Sequence, residues 1–265
     1  MEFIELPIIP NKKIYFASDF HLGAPDRKSS TERERKIIAW LSAIKSGCQS
    51  LFLLGDIFDF WFEYKNVIPK GYIRFLAKIA EFVDNGIDVY FFTGNHDMWM
   101  FNYLEDEIGV KIIRDSVKLT YNNKKFYLHH GDGLGKYDIK YSIIKKFFRS
   151  KPCQKLFACL HPQIGFWIAT TWSEKSRKAN QKYDEVFLGE EEWLIKFIKC
   201  NEKKEHFDYY IFGHRHLNLF LDIDEHTKYI NLGQWFSKPY FLEVWENQTN
   251  LISVDEFLYL STIHV

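Results

Sequence analysis

A chain of 265 residues with 46% apolar composition and 25 Phe can bury a large core, which excludes a disordered chain. Its 35 basic and 35 acidic side chains cancel, so the overall charge points to no polyanionic partner, nucleic acid included. No apolar run reaches the roughly 18–20 residues of a membrane span. The four cysteines form no C-x-x-C pair and the first residues carry no basic leader, which suits a reducing cytosol.

In chain order, residues 13–17 read as a buried strand. The pattern Ser29-Ser30-Thr31-Glu32 then predicts a capping box opening a helix with Ile37, Ile38, Leu41 and Ile44 on one face. Residues 51–54 predict a second strand, 72–85 a second helix with a stop at Gly86, and 88–92 a third strand. This strand-helix alternation is a doubly wound pattern, which places a site at the carboxyl ends of its strands. Beyond residue 110, residues 117–121 and 125–129 flank Asn122-Asn123 as a hairpin. Short strands follow at 209–212, 217–223, 228–231 and 240–245, and a mostly antiparallel second half is expected. Together these elements predict an α/β chain: an αββα sandwich of two mixed sheets flanked by helices, forming a single domain over residues 1–265.

One stretch fits neither half. Residues 133–182 hold eleven Lys or Arg against two acids, a local charge of +9 that the rest of the chain offsets. Interleaved with them are Ile143, Phe147, Leu156, Ile164, Trp167 and other large apolar residues. The segment predicts two or three amphipathic helices, an insertion at about 134–188. Such a surface suits an anionic membrane, a nucleic acid, or a lipid-like ligand carrying phosphate.

Five clusters end the predicted strands: Asp19-Phe20-His21, Gly55-Asp56, Gly94-Asn95-His96-Asp97, His129-His130-Gly131-Asp132 and Gly213-His214-Arg215-His216. Mixed Asp, Asn and His donors suit borderline divalent metals, and they outnumber the needs of one tetrahedral ion. Asp19, His21, Asp56 and His216 are assigned to one ion, and Asp56, Asn95, His130 and His214 to another, with Asp56 bridging through both oxygens. His130 is chosen over His129 because it precedes Gly131-Asp132, and neighbours along a strand point to opposite faces. Two ions about 3.5–4 Å apart stabilise both oxygens of a displacement at phosphorus and supply hydroxide near neutral pH. His96 is placed to protonate the leaving oxygen or stabilise phosphoryl charge. Asp97 and Asp132 are expected to hold ligands in place through hydrogen bonds. The aromatic run Phe58, Phe60, Trp61, Phe62 and Tyr64 reads as core ahead of an acyl-contact surface.

These clusters, in this order across residues 19–216, resemble the calcineurin-like metallophosphoesterases. Asp19-Phe20-His21-Leu22-Gly23, Gly55-Asp56-Ile57-Phe58-Asp59-Phe60-Trp61, and the long basic-aromatic insertion after His130-Gly131-Asp132 are similar to the UDP-2,3-diacylglucosamine hydrolases of lipid A synthesis. That resemblance implies a helical cap receiving two acyl chains, two Mn2+ ions, and attack at the α-phosphate of a lipid-linked UDP-sugar. It further implies a cytoplasmic enzyme attached peripherally to the anionic cytoplasmic face of the inner membrane, with no nucleic-acid partner. Carried over residue by residue, it implies substrate contacts at Asn95, His96, Asp138, Ser176, Asn180 and His214. A family lysine falls at Tyr183, next to Lys182. His96 departs from the Arg of the best-known members and matches the general phosphoesterase pattern. The competing readings are a general phosphodiesterase or phosphatase acting on another nucleotide or phospholipid-like substrate, and a metal-free scaffold, against which all seven ligands stand.

Overall fold

Side chains of the strand β2 (Lys13–Ala17) alternate between two buried faces: Ile14 and Phe16 enter one hydrophobic cluster, Tyr15 and Ala17 another. The computed structural model describes residues 1–134, 139–184 and 186–263, apart from the side chains of 139–141, 178–184 and 262–263. The first half runs β1 (Glu2–Leu6), β2, α1 (Arg27–Ile44), β3 (Cys48–Leu53), α2 (Ile73–Asp84), β4 (Asp88–Phe92), α3 (Tyr103–Ile108), β5 (Lys111–Ile113), β6 (Val117–Tyr121) and β7 (Lys124–Leu128). Three helices follow, α4 (Ile139–Phe148), α5 (Lys151–Ala158) and α6 (Pro162–Asp184), then α7 (Trp193–Glu202). The chain ends with β8 (Tyr209–Phe212), β9 (Asn218–Asp222), β10 (Lys228–Leu232), β11 (Tyr240–Trp245), β12 (Gln248–Ser253) and α8 (Val254–Ile263).

Two six-stranded sheets form, in the orders β12-β11-β2-β3-β4-β5 and β1-β6-β7-β8-β10-β9. Phe16, Phe52 and Phe92 of the first sheet meet Leu119, Leu128, Ile211 and Ile230 of the second in one cluster between them. Ile37, Trp40 and Leu41 of α1, with Phe75, Ile79 and Phe82 of α2, cover the outer face of the first sheet. Leu194, Ile195 and Ile198 of α7 cover Tyr127, Tyr210 and Tyr229 of the second. The layers are therefore helix, sheet, sheet, helix, as the sequence predicts.

Two expectations require correction. The first helix begins at Arg27, because the Asp26 carboxylate accepts from the backbone N–H groups of Lys28 and Ser29 at 2.8 and 3.0 Å. Ser29 thus lies inside the helix and opens nothing. The second half is also less antiparallel than expected: β7-β8, β8-β10 and β1-β6 are parallel pairs. The chain between β7 and β8 passes through four helices, a crossover long enough to return the strand in the same direction.

The helices α4, α5 and α6 form a cap seated on the loops beyond the first sheet. Phe148, Phe157 and Phe166 of the cap pack on Phe60, Phe62 and Trp99. Trp99 Nε1 donates to the Phe148 carbonyl at 2.8 Å, and Lys145 Nζ stands 2.8 Å from the buried Asp132 carboxylate. Phe58 and Trp61 lie in the core under α1 and α2, so the aromatic run divides between core and cap seat. The cap leaves Ile143, Phe147, Leu156 and Trp167 exposed, Trp167 at 68%. No helix among the described residues is long and apolar enough to cross a membrane.

Candidate active site

Each of the five clusters lies immediately beyond a strand: β2, β3 and β4 of the first sheet, β7 and β8 of the second. The strands fix where the chain arrives, and sharp turns then aim the side chains inward. Asp19, His21, Asp56, His214 and His216 all adopt left-handed backbone, with φ from +44° to +66°. Such conformations cost on the order of 1–3 kcal/mol each and concentrate at functional sites. Two glycines are required by close approach rather than by φ. A Cβ at Gly94 would overlap the Asp56 carboxylate, and one at Gly213 would overlap the side chains of Ser18 and Asp19. That proximity accounts for the glycine in the Gly-Asn-His-Asp and Gly-His-Arg-His motifs.

The donors converge in two groups. In the first, His21 Nε2 and His216 Nε2 stand 3.2 Å apart, and Asp19 Oδ1 lies 3.6 and 3.3 Å from them. In the second, His130 Nε2 stands 3.3 Å from Asp56 Oδ2 and 3.2 Å from Asn95 Oδ1, with His214 alongside. Asp56 Oδ2 also lies 3.8 Å from His21 Nε2, so this one oxygen faces both groups. Its other oxygen, Oδ1, accepts from the His96 backbone N–H at 2.8 Å. In this geometry the Oδ2 atom faces both groups, while Oδ1 is engaged by a backbone N–H. His129 Nδ1 instead accepts from Gly131 N–H at 2.8 Å, turned away from these donors.

The surroundings hold this arrangement. Asp19 Oδ2 accepts from Ser18 Oγ at 2.5 Å and from His214 N–H at 3.0 Å. Asp97 accepts from Gly94 N–H at 2.7 Å and Ile57 N–H at 2.8 Å, tying the loop after β4 to the loop after β3. His130 Nδ1 donates to the Leu54 carbonyl at 2.7 Å, which leaves Nε2 as its inward donor atom.

A model of the calcineurin-like phosphoesterase family matches residues 12–218, which includes every one of these donors. The chain belongs to the calcineurin-like phosphoesterases. It is 35% identical to a UDP-2,3-diacylglucosamine hydrolase from Porphyromonas gingivalis, over 89% of this chain and 95% of that one. It is 27% identical to the protein of the same name from Haemophilus influenzae, over 84% and 91%. A solved dimetal phosphatase from Danio rerio has 14% identity and a TM-score of 0.42 over 92% of this chain and 96% of that one. That last likeness is too remote to bear on the chemistry.

Family membership makes this phosphoesterase a metal-dependent hydrolase, and its residues suit divalent ions. Asp19 Oδ1 is fully buried and accepts no hydrogen bond among the described residues, a condition that costs free energy unless a cation faces it. Burial alone would press His130 down, but the Asp56 carboxylate beside it pushes it up to about 10. The same pair drives Asp56 in the other direction, well below the usual carboxylate range despite its burial. His214, buried and next to His130, is lowered to about 4 and remains a neutral donor near pH 7. Buried carboxylates facing imidazole nitrogens form a cation-seeking cavity.

His96 belongs to the phosphoesterase cleft but to neither donor group. Its Nδ1 donates to the Asp59 carbonyl at 3.0 Å, leaving Nε2 for the cleft, and burial lowers its pKa. The cleft, about 260 Å³, is lined by Asp56, Asn95, His96, Ser176, His214 and His216 among others. Asp138 and the Asn180 side chain, like those of Lys182 and Tyr183, lie outside the described residues. Sequence reading passed over Asp59, which stands 3.5 Å from His21 Nδ1 and 3.7 Å from His96 Nδ1. Its only signal was a second Asp three residues after Asp56. Arg215, bidentate to the buried Glu192 at 2.7 and 3.0 Å, was likewise missed.

Proposed function

We propose that the protein hydrolyses the pyrophosphate bond of UDP-2,3-diacylglucosamine, releasing UMP and 2,3-diacylglucosamine 1-phosphate (lipid X). The observation that carries this reading is the position of Ser176. It lines the polar cleft that holds Asp56, Asn95, His96 and His214, and it also lines an apolar cavity of about 500 Å³ formed by Trp167, Ile168 and Trp172 of the cap. A substrate with a diphosphate at one end and acyl chains at the other needs those two surfaces side by side. The names of the relatives at 35% and 27% identity point the same way.

In this reading residues 1–265 form one domain, and the cap at about 134–188 is an insertion over its site. Asp19, His21, Asp56 and His216 would hold one divalent ion, and Asp56, Asn95, His130 and His214 a second, with manganese as the expected metal. When bound, the ions supply hydroxide near neutral pH and neutralise charge developing on phosphorus. Attack at the α-phosphorus forms the new P–O bond of UMP and breaks the bond to the bridging oxygen, which leaves with the sugar phosphate. His96 Nε2, fixed by the Nδ1 contact to Asp59, donates to that departing oxygen once the ring has taken up a second proton, which its burial resists at neutral pH. Ser176, which lines the cleft, would contact the substrate, and the family resemblance adds Asn180 and Asp138. Each acyl methylene buried against the cap contributes about 0.8 kcal/mol, so selectivity for lipid needs only an apolar wall.

The cap supports a peripheral attachment as well. Ile143 and Phe147 on α4 are both 63% exposed and stand in the segment of net charge +9. We read this as a face that meets the anionic cytoplasmic surface of the inner membrane. Sedimentation with vesicles containing anionic lipid, and not with zwitterionic ones, is the expected result.

The deciding experiment measures UMP release with Mn2+ from the diacylated substrate and from plain UDP-glucosamine. A strong preference for the diacylated compound is expected. Equal turnover of the two, or faster hydrolysis of a simple aryl phosphodiester, would replace this reading with a general phosphodiesterase.

A further inference from the structure

Asp59 is 6% exposed, and its carboxylate faces the Nδ1 atoms of His21 and His96. Among the described residues, the hydrogen bonds to its side-chain oxygens all come from the cap. Ser173 Oγ lies 3.0 Å from both oxygens, and Arg177 Nη1 pairs with Oδ1 and also donates to Ser173 Oγ. Ser173 and Arg177 are four residues apart on α6, so one turn of one helix presents both to the same carboxylate. Ser173 Oγ further lies 3.2 Å from His96 Nδ1.

A buried carboxylate that loses its donors carries a heavy desolvation cost. Asp59 has given that role to a helix 114 positions away. We propose that Ser173 and Arg177 are positioning residues: they hold Asp59 against His21 and His96, and thereby make the reactivity of the site depend on the seated cap. With α6 in place, Arg177 balances the Asp59 charge and Ser173 fixes its rotamer. Asp59 then orients His21, a donor of the first group, and His96, the proposed acid. With α6 displaced, Asp59 is unpaired and both imidazoles lose their restraint.

The inference rests on the assignment of the two metal groups, and its test separates the two. Hydrolysis of a small aryl phosphodiester, which is too short to reach the apolar cap cavity, is measured with Mn2+ for wild type, R177Q, R177K, S173A, D59N and the D59N/R177Q pair. Each protein is first checked by thermal unfolding. R177Q is expected to lower kcat on the small diester about tenfold with KM unchanged, R177K to recover part of it, and D59N/R177Q to lose little more than D59N alone. An R177Q variant with wild-type kcat on the diester, or losses that multiply in the double variant, would overturn the proposal. Should wild type hydrolyse no small phosphodiester, the functional reading is untouched, and Mn2+ affinity by calorimetry decides the inference instead. Weaker binding by about tenfold in R177Q and D59N supports it, and unchanged binding in both rejects it.

Discussion

His21 Nε2 and His216 Nε2 face one another at 3.2 Å, although 195 positions separate them in the chain. The buried Asp19 Oδ1 beside them accepts no hydrogen bond among the described residues. The three atoms together suit a cation better than a proton. Purified protein is therefore expected to bind about two Mn2+ per chain, since the second group is built alike around His130. Treatment with a chelator should abolish hydrolysis, and added Mn2+ should restore it. Asp56, whose Oδ2 faces both groups, is the most sensitive single position: Asp56→Ala should lower kcat by at least about 100-fold. Metal analysis by mass spectrometry together with UMP release checks both statements.

Much of this is legible in the sequence because the candidate metal donors follow strands, and strands announce themselves by β-branched and aromatic runs. Residues 88–92, 209–212 and 240–245 carry their own period and boundaries. Parallel pairing of β7 with β8 was not legible, since it depends on a crossover through the cap and α7 rather than on any local signal. The start of α1 was misread because Asp26 and Ser29 both offer cap chemistry, and only geometry shows which oxygen reaches the free N–H groups. Asp59 was passed over for a similar reason. Its role is set by Ser173 and Arg177, and no spacing within its own loop reports a helix that arrives a hundred residues later.

The glycine of the Gly-His-Arg-His motif makes a sharper test of the site's packing than of its chemistry. A methyl group at Gly213 has nowhere to go, because Ser18 Oγ and Asp19 Oδ2 already occupy its place. Gly213→Ala should destabilise the fold by about 1–3 kcal/mol, the range for overpacking a tight interior. It should also weaken Mn2+ binding, because Asp19 must move first. Urea unfolding and calorimetric titration give the two numbers. A wild-type value for both would mean that the loop after β8 yields more easily than its hydrogen bonds imply.

Under the proposed function, Trp167 is the position that separates recognition of lipid from catalysis. It lines the apolar cavity of the cap, is 68% exposed, and stands apart from the metal donors. Burying such a side chain against an acyl chain contributes roughly 1.5–3 kcal/mol. Trp167→Ala should therefore raise KM for the diacylated substrate about tenfold or more while leaving kcat on a small aryl phosphodiester unchanged. Steady-state kinetics on the two substrates check it. A fall in kcat on the small diester would place Trp167 in the support of the site rather than in the lipid cavity.

The Lys145–Asp132 pair gives the cap a pH-dependent anchor. Burial works against the Asp132 charge, yet Lys145 at 2.8 Å, with His130, holds its carboxyl well below the usual carboxylate range. A carboxylate with a lowered folded pKa contributes stability that is fully present above its unfolded value, about 3.9, and is lost as pH falls through the folded one. Lys145→Met removes the nearest cation from a buried carboxylate and leaves it facing only histidines, which should cost about 3 kcal/mol at pH 7. The difference from wild type should persist through pH 6 and shrink below about pH 4, where Asp132 of the variant takes up a proton and needs no partner. Urea unfolding of both proteins from pH 7 down to pH 3.5 measures this. A difference that does not vary with pH would assign the loss to the packing of the Lys145 stem against the cap seat and not to its charge.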